Sequence, residues 1–287
     1  MAGADGVCSP RMRLDFVKMH GLGNDFLVLD LPADAPLPSS AQWRALADRR
    51  TGVGFDQALV LQPPRRAGTD AFYRIFNADG GEVEQCGNGA RCVAALLQRR
   101  RRRDDSTLTL ESSGGMLQAR ILAGGRVSVS MGVPDFAPGS LPFVAPARAA
   151  SYSLDVGGEH IEFGAVSIGN PHAVLRVADV ATAPVEHIGR DLQNDRHFPR
   201  RVNVGFMQVL DPGAIRLRVF ERGVGETLAC GTGACAAVAV GRDLGLLGAD
   251  VQVHVPGGTL SVHWDGEGEA VWLTGPAQQS FEGHVEI

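Results

Sequence analysis

Aromatic side chains are scarce: two tyrosines, three tryptophans and twelve phenylalanines among 287 residues. A chain so composed does not build an aromatic binding surface; with 37 glycines it suits tight turns and close backbone approaches. Charge of one sign is also missing. The net charge of -5 creates no basic field to attract nucleic acid or an anionic membrane, which leaves a small molecule as the expected partner. No apolar run approaches the length of a membrane span, and Met1 to Pro10 has neither the charged lead nor the apolar stretch of a signal peptide. The expected location is therefore cytoplasmic. Five cysteines, an odd number, argue against a disulfide framework, and no Cys-x-x-Cys pair or close Cys/His cluster suits zinc. At least some thiols should be free. Residues 1–13, which include Cys8, form a small polar tail outside the expected core, because the first strand-like pattern begins at Leu14.

What the sequence does contain is a single internal repeat. The segment from Asn77 through Cys86-Gly-Asn-Gly corresponds to the segment from Glu221 through Cys230-Gly-Thr-Gly, half a chain later. Each follows a strand-like run, Ala71 to Phe76 and Ile215 to Phe220, and precedes a stretch of helical character, Ala90 to Gln98 and Ala234 to Leu246. Two shorter pairs recur at nearly the same offset: Gly23-Asn24 with Gly169-Asn170, and Gly54-Phe55-Asp56-Gln57 with Gly205-Phe206-Met207-Gln208. Short β-type runs lie between these landmarks, among them Leu108 to Leu110, Val127 to Val129, Val251 to Val255, Leu260 to Trp264 and Val271 to Leu273. The pattern predicts two α/β domains of similar fold, with more strands than helices and a boundary near Gly132-Val133-Pro134. The run Arg99 to Arg103, followed by Asp104 and Asp105, reads as the solvated end of the first helix, where cations oppose the negative end of the helix dipole.

Cys86 and Cys230 each stand immediately before a helix, with Asn88 and Thr232 at matching positions suited to the N-cap. A thiol near a positive helix end is expected to have a lowered pKa and to act as a base or nucleophile. Gly87, Gly89, Gly231 and Gly233 let backbone N–H groups approach an anion such as a carboxylate. Two such ends face to face would clamp one carboxylate. One thiolate could then take an α-proton from one side of an amino acid while the other thiol returns a proton to the opposite side, inverting the centre. Cys92 and Cys235 are expected to be packed core residues.

At these loops the sequence resembles the diaminopimelate epimerases. The motifs that carry the resemblance are Lys18-Met-His-Gly-Leu-Gly-Asn-Asp-Phe26, the Asn77 to Cys86-Gly-Asn-Gly loop, Gly169-Asn-Pro-His172, Arg201-Val-Asn-Val-Gly205, and Glu221-Arg-Gly through Cys230-Gly-Thr-Gly. It implies that Cys86 and Cys230 are the two acid/base residues and that no cofactor and no metal is used. It further implies that Gly87, Asn88, Gly231 and Thr232 hold the reacting carboxylate, and that Asn24, Asn77, Asn170, Asn203 and Arg222 orient the substrate, with Gln57 in an indirect role. His172 and Glu221 remain as candidates to relay a proton or hold the substrate ammonium. Glu221 occupies the repeat position of Asn77, a difference expected to distinguish the two thiols.

The fold implied is α/β (α+β): two pseudo-symmetric domains, each a curved, mainly antiparallel sheet around a central helix, with the site in the cleft between them. Residues 14–131, joined by 276–287, would form one domain and 132–275 the other. The function implied is interconversion of LL- and meso-diaminopimelate, a step towards lysine and peptidoglycan. The alternatives are a two-cysteine racemase of the proline or hydroxyproline type, a thiol redox protein and a non-catalytic amino-acid binder. The partners expected are an amino-acid substrate and a second copy of the chain in a homodimer, with no nucleic acid and no membrane.

Overall fold

The computed structural model describes residues 12–101 and 107–287. Cys8, most of the leading segment, and Arg102 to Asp105 of the basic run lie outside the described residues. The first half of the chain forms β1 (Arg13–Gly21), β2 (Asn24–Asp30), α1 (Ser40–Ala47), β3 (Gln57–Gln62), β4 (Ala71–Asn77), β5 (Glu82–Val83), α2 (Gly87–Arg101), β6 (Thr107–Ser112), β7 (Gly115–Ile121) and β8 (Arg126–Ser130). The second half forms β9 (Tyr152–Val156), β10 (Glu159–Ser167), β11 (Pro171–Arg176), α3 (Val185–Gln193), β12 (Asn203–Asp211), β13 (Ala214–Glu221), β14 (Gly225–Thr227), α4 (Gly231–Asp243), β15 (Asp250–Val255), β16 (Gly258–His263), β17 (Trp272–Pro276) and β18 (Gln278–Glu286).

The repeat in sequence is a repeat in pairing. In the first half β1–β2 is antiparallel, β2–β3 parallel, β3–β4 antiparallel and β4–β6 parallel. In the second, β10–β11, β11–β12, β12–β13 and β13–β15 follow the same alternation. β18 completes the scheme: it pairs antiparallel with β1 as β9 does with β10, so the last strand of the chain sits beside the first. The halves are joined where β8 and β17 pair antiparallel, Val129 opposite Leu273. The protein is thus a sheet-dominated α+β fold with four α-helices among the described residues.

Each half wraps its sheet around a helix without a polar side. In α4 every residue from Gly231 to Gly241 except Thr232 is buried, and α2 buries Ala90, Arg91, Cys92, Val93 and Ala94 in succession. A helix buried all round sits at the centre of a core. Strands against it alternate: in β15, Val251, Val253 and Val255 point inward while Asp250, Gln252 and His254 face out. Both central helices share one apolar cluster, and α1 and α3 cover the outer sheet faces through separate clusters around Trp43 and around Phe163 and Phe198. Arg99 and Arg100 at the end of α2 are tied to Gln279 and Asp30 across its surface. Among the described residues no helix is long and apolar enough to cross a membrane.

The two central helices start at Gly87 and Gly231, immediately after the cysteines, and α4 ends at Asp243 rather than at Leu246. A Cβ on Gly231 would lie 2.9 Å from Leu273 Cδ2, so no side chain fits there without a shift, and it would lie 3.9 Å from the Cα of Gly87, so the two helix starts meet closely. The early end follows from Gly245, whose φ of +70° turns the chain out of the helix.

Candidate active site

Asn88 and Thr232 therefore lie inside the first turns and do not cap them, which corrects the sequence reading. The cysteines take that place. Cys230 is the N-cap of α4, its carbonyl accepting from Ala234 N at 3.0 Å, and the Cys86 carbonyl accepts from Ala90 N at 2.8 Å in the same way. Gly89 N donates to Cys86 Sγ at 3.3 Å, so the sulfur accepts the N–H that a capping oxygen normally takes.

Both cysteines line one cavity of about 840 Å³, walled by the two helix starts, by Asn24, Gln57 and Asn77 from one half and by Glu221, Gly223, Val224 and the stretch from Glu226 to Ala229 from the other. Cys86 donates to Asn24 Oδ1 at 4.0 Å, and Asn24 Oδ1 also accepts from Asn88 Nδ2 at 3.1 Å. Asn88 Nδ2 reaches further, to the carbonyl of Ala229 at 3.3 Å, and so links the two cysteine loops. Cys230 Sγ lies 3.6 Å from Thr232 Oγ1, and the Glu221 carboxylate stands close beside it. Thr227 Oγ1 donates to the same carboxylate at 2.5 Å.

The thiols are not acidified, contrary to the expectation from the helix ends. Burial pushes Cys86 up to about 11, with the Glu221 charge adding to it, while the Gly89 N–H and Arg91 pull the other way. Cys230 is raised well above its usual value by burial and by Glu221 beside it. Desolvation of a thiolate outweighs a half-charge at a helix end. Glu221 is itself raised, first by burial, against the hydrogen bonds of Thr227 and Cys230.

Of the residues singled out in sequence, Asn24, Gln57, Asn77, Cys86, Gly87, Asn88, Glu221, Cys230, Gly231 and Thr232 line the cavity. Gln57 donates to Asn77 Oδ1 at 2.9 Å and holds it in place. The other four do not line it: Asn170, His172 and Asn203 lie behind the wall, and the exposed Arg222 side chain donates from Nη1 to the Arg200 carbonyl at 3.4 Å. Asn170 Nδ2 donates to Thr232 Oγ1 at 3.4 Å, and Asn170 Oδ1 accepts from His172 Nε2 at 3.0 Å. His172 is wholly enclosed, and burial together with the Arg222 charge holds its pKa down to about 3, so it is a neutral imidazole supporting Asn170. Asn203 uses both ends of its amide on backbone, donating to Pro171 O and accepting from Arg222 N, each at 2.9 Å. Cys92 and Cys235 are buried in the core, as expected.

Sequence reasoning missed an ion network at the cavity edge. Buried Lys18 donates to Asp25 at 2.6 Å, Arg49 bridges Asp25 at 2.8 Å and Asp56 at 2.7 Å, and Asp56 accepts from Asn24 Nδ2 at 2.9 Å. Burial works against the Asp25 charge, but Arg49 and Lys18 hold its pKa at about 2. The network thereby holds Asn24 towards Cys86. Lys18 and Asp25 stood within a recognised motif, whereas no local pattern marks Arg49. Among the described residues no cluster of three His, Cys, Asp or Glu side chains could hold a metal ion.

The sequence model of the family described as diaminopimelate epimerase matches residues 16–137 and 164–280. A diaminopimelate epimerase of Alkalilimnicola ehrlichii is 53% identical over 278 residues, covering 96% of this chain and 100% of that protein. One from Pseudomonas aeruginosa is 50% identical over 276 residues, with the same coverage of 96% and 100%. Among solved structures, a hydroxyproline epimerase from Agrobacterium vitis with bound trans-4-hydroxy-L-proline superposes with a TM-score of 0.68 at 18% identity, covering 96% of this chain and 93% of that one. At that identity the likeness speaks for the fold alone.

Proposed function

The chain belongs to the diaminopimelate epimerase family, and from that premise we propose that it interconverts LL- and meso-diaminopimelate by moving one α-proton between Cys86 and Cys230. The observation that carries the assignment of residues is the meeting of two cysteine-capped helix starts on one cavity, the glycines at their first positions nearly in contact. A helix start leaves N–H groups without an intrahelical partner, and those at both ends that the sulfurs do not take can receive one carboxylate. The negative charge that spreads into it when the α-carbon loses its proton is stabilised by both helix dipoles at once.

The raised thiol pKa values fit this task. An α-hydrogen is very weakly acidic, so a thiolate that is a strong base narrows the gap it must cross. The two sulfurs are served differently: Cys230 has the Glu221 carboxylate, and Cys86 has the Asn24 carbonyl oxygen. The two sulfurs share one proton, so that one enters the turnover as thiolate and the other as neutral thiol, and Glu221, held by Thr227, stands beside Cys230 where it can receive the substrate ammonium. Proton abstraction by Cys230 and delivery by Cys86 invert the centre, and the return path uses the same atoms in reverse. Asn77, held by Gln57, reads the distal amino-acid end from the cavity wall, while Asn170 and Asn203 support that wall from behind through Thr232 and the backbone of Pro171 and Arg222. We place the reaction in the cytoplasm, a reading supported by the four free cysteines among the described residues.

The test is incubation with LL-diaminopimelate in D2O under reducing conditions, following the α-proton by NMR, with proline and trans-4-hydroxyproline in parallel. The expected result is deuterium exchange with appearance of the meso isomer. In Cys86→Ala and Cys230→Ala the exchange should fall by about 10³-fold or more. Wild-type exchange on the ring substrates alone, or full epimerisation by either variant, would refute the assignment.

A further inference from the structure

Behind the two cysteine loops lies a positive charge without an acidic partner among the described residues. Arg91, in the second turn of α2, is 0% exposed. Its Nη2 donates to Asn88 Oδ1 at 2.8 Å, its Nε donates to the Pro276 carbonyl at 3.4 Å, and its Nη1 has no partner. The slot is shaped for the guanidinium: a Cβ on Gly21 would lie 3.2 Å from Nη2, and one on Gly275 would lie 3.1 Å from Cζ. An unpaired buried cation destabilises a fold, and an apolar side chain of similar size would pack the same slot at lower cost. Packing therefore does not account for the arginine.

Its position in the repeat narrows its role. The residue that follows Cys230 at the spacing at which Arg91 follows Cys86 is Cys235, so one guanidinium serves both halves. By occupying Asn88 Oδ1 it leaves Asn88 Nδ2 only the outward direction, towards Asn24 Oδ1 and the Ala229 carbonyl. Turning that amide over would set its oxygen against two acceptors and its NH2 against the guanidinium. Asn24 is the acceptor for the Cys86 thiol, and Ala229 is the residue before Cys230. One guanidinium thus orients the amide that ties both cysteine loops together.

We infer that Arg91 is a positioning residue for the epimerisation: it locks the Asn88 amide between the two cysteine loops and supplies a permanent cation behind both helix starts, where a thiolate and a carboxylate carrying extra charge must coexist. The inference rests on the two-thiol reading above. A guanidinium suits the task because it keeps its proton when buried and its fork holds an amide oxygen in one direction. Its pull on the Cys86 thiol opposes the burial that raises it.

The experiment compares the full chain with Arg91→Met and Arg91→Lys. Three quantities are measured: kcat on LL-diaminopimelate, the thermal midpoint, and the pH at which Cys86 reaches half its maximal rate of alkylation by iodoacetamide. Arg91→Met should fold with an unchanged or higher midpoint. Its kcat should fall about 10²-fold or more, and the alkylation midpoint should rise by about one pH unit or more. Arg91→Lys keeps the charge without the fork, so it should restore the alkylation midpoint but only part of kcat. An Arg91→Met enzyme with wild-type kcat would overturn the inference, as would one whose kcat falls with a lower thermal midpoint and an unchanged alkylation midpoint. If Arg91→Met does not fold, Arg91→Lys decides: reduced kcat with the alkylation midpoint kept supports the inference, and both kept or both lost refutes it. A wild type that exchanges no deuterium removes the two-thiol reading itself, whereas an active wild type with an indifferent Arg91→Met removes only this one.

Discussion

A histidine with one ring nitrogen bonded to Asn170 and the other without a partner can be kept only as the neutral form, and this is the condition of His172. Its folded-state pKa of about 3 lies below the usual 6.5. Between those values the unfolded chain binds a proton that the native state does not. The stability present above pH 6.5 is therefore lost as pH falls towards 3, at about 1.4 kcal/mol per pH unit. His172→Asn should be less stable than the wild type at pH 8 yet lose less on acidification to pH 4, as read by urea unfolding at several pH values. A gap between the two proteins that stays constant over that range would count against a buried neutral imidazole. The residue types at the site were legible in the repeat and its motifs. The direction of the thiol pKa shifts was not, because a helix start is visible in sequence and the desolvation around it is not.

At the scale of elements, the fold depends on how closely its central helices approach the sheets. A Cβ on Gly164 of β10 would lie 2.3 Å from Val240 Cγ1 of α4. Gly164→Ala should cost about 1–3 kcal/mol by overpacking. Adding Val240→Ala should recover part of that loss, because the two changes share one contact and are not additive. Thermal or urea unfolding of the two single variants and the double variant checks it, and simple additivity would contradict the contact. The central helices were legible from their Ala, Val and Leu content and from the glycine motif after each cysteine, but that Asn88 and Thr232 lie inside the first turns while the cysteines cap them, and that the two starts meet, was not, because both depend on how the halves pack.

At the scale of the whole molecule, Met12 and Ile287 exchange two backbone hydrogen bonds of 2.9 Å, so the two ends of the described chain run side by side. Joining Ile287 to Met12 through a short flexible linker and opening the chain at the exposed Gly157-Gly158 turn should give a folded enzyme with kcat within about tenfold of the original. Opening it instead at Gly223-Val224, in the cavity wall, should give the same circular dichroism but little epimerisation. A folded but inactive Gly157-Gly158 permutant would show that the halves are coupled through that turn. The sequence alone determined that the chain is duplicated, that strands outnumber helices, and that a cysteine precedes each central helix, since these are properties of local pattern and of its recurrence. Only the tertiary structure decided that Asn170, His172 and Asn203 lie behind the cavity wall, that Arg49 reaches Asp25 and Asp56, and that one guanidinium lies behind the cysteine loops. These depend on which distant segments exclude water from one another, and desolvation and close approach are set by the packed whole, with no signature in any short stretch of chain.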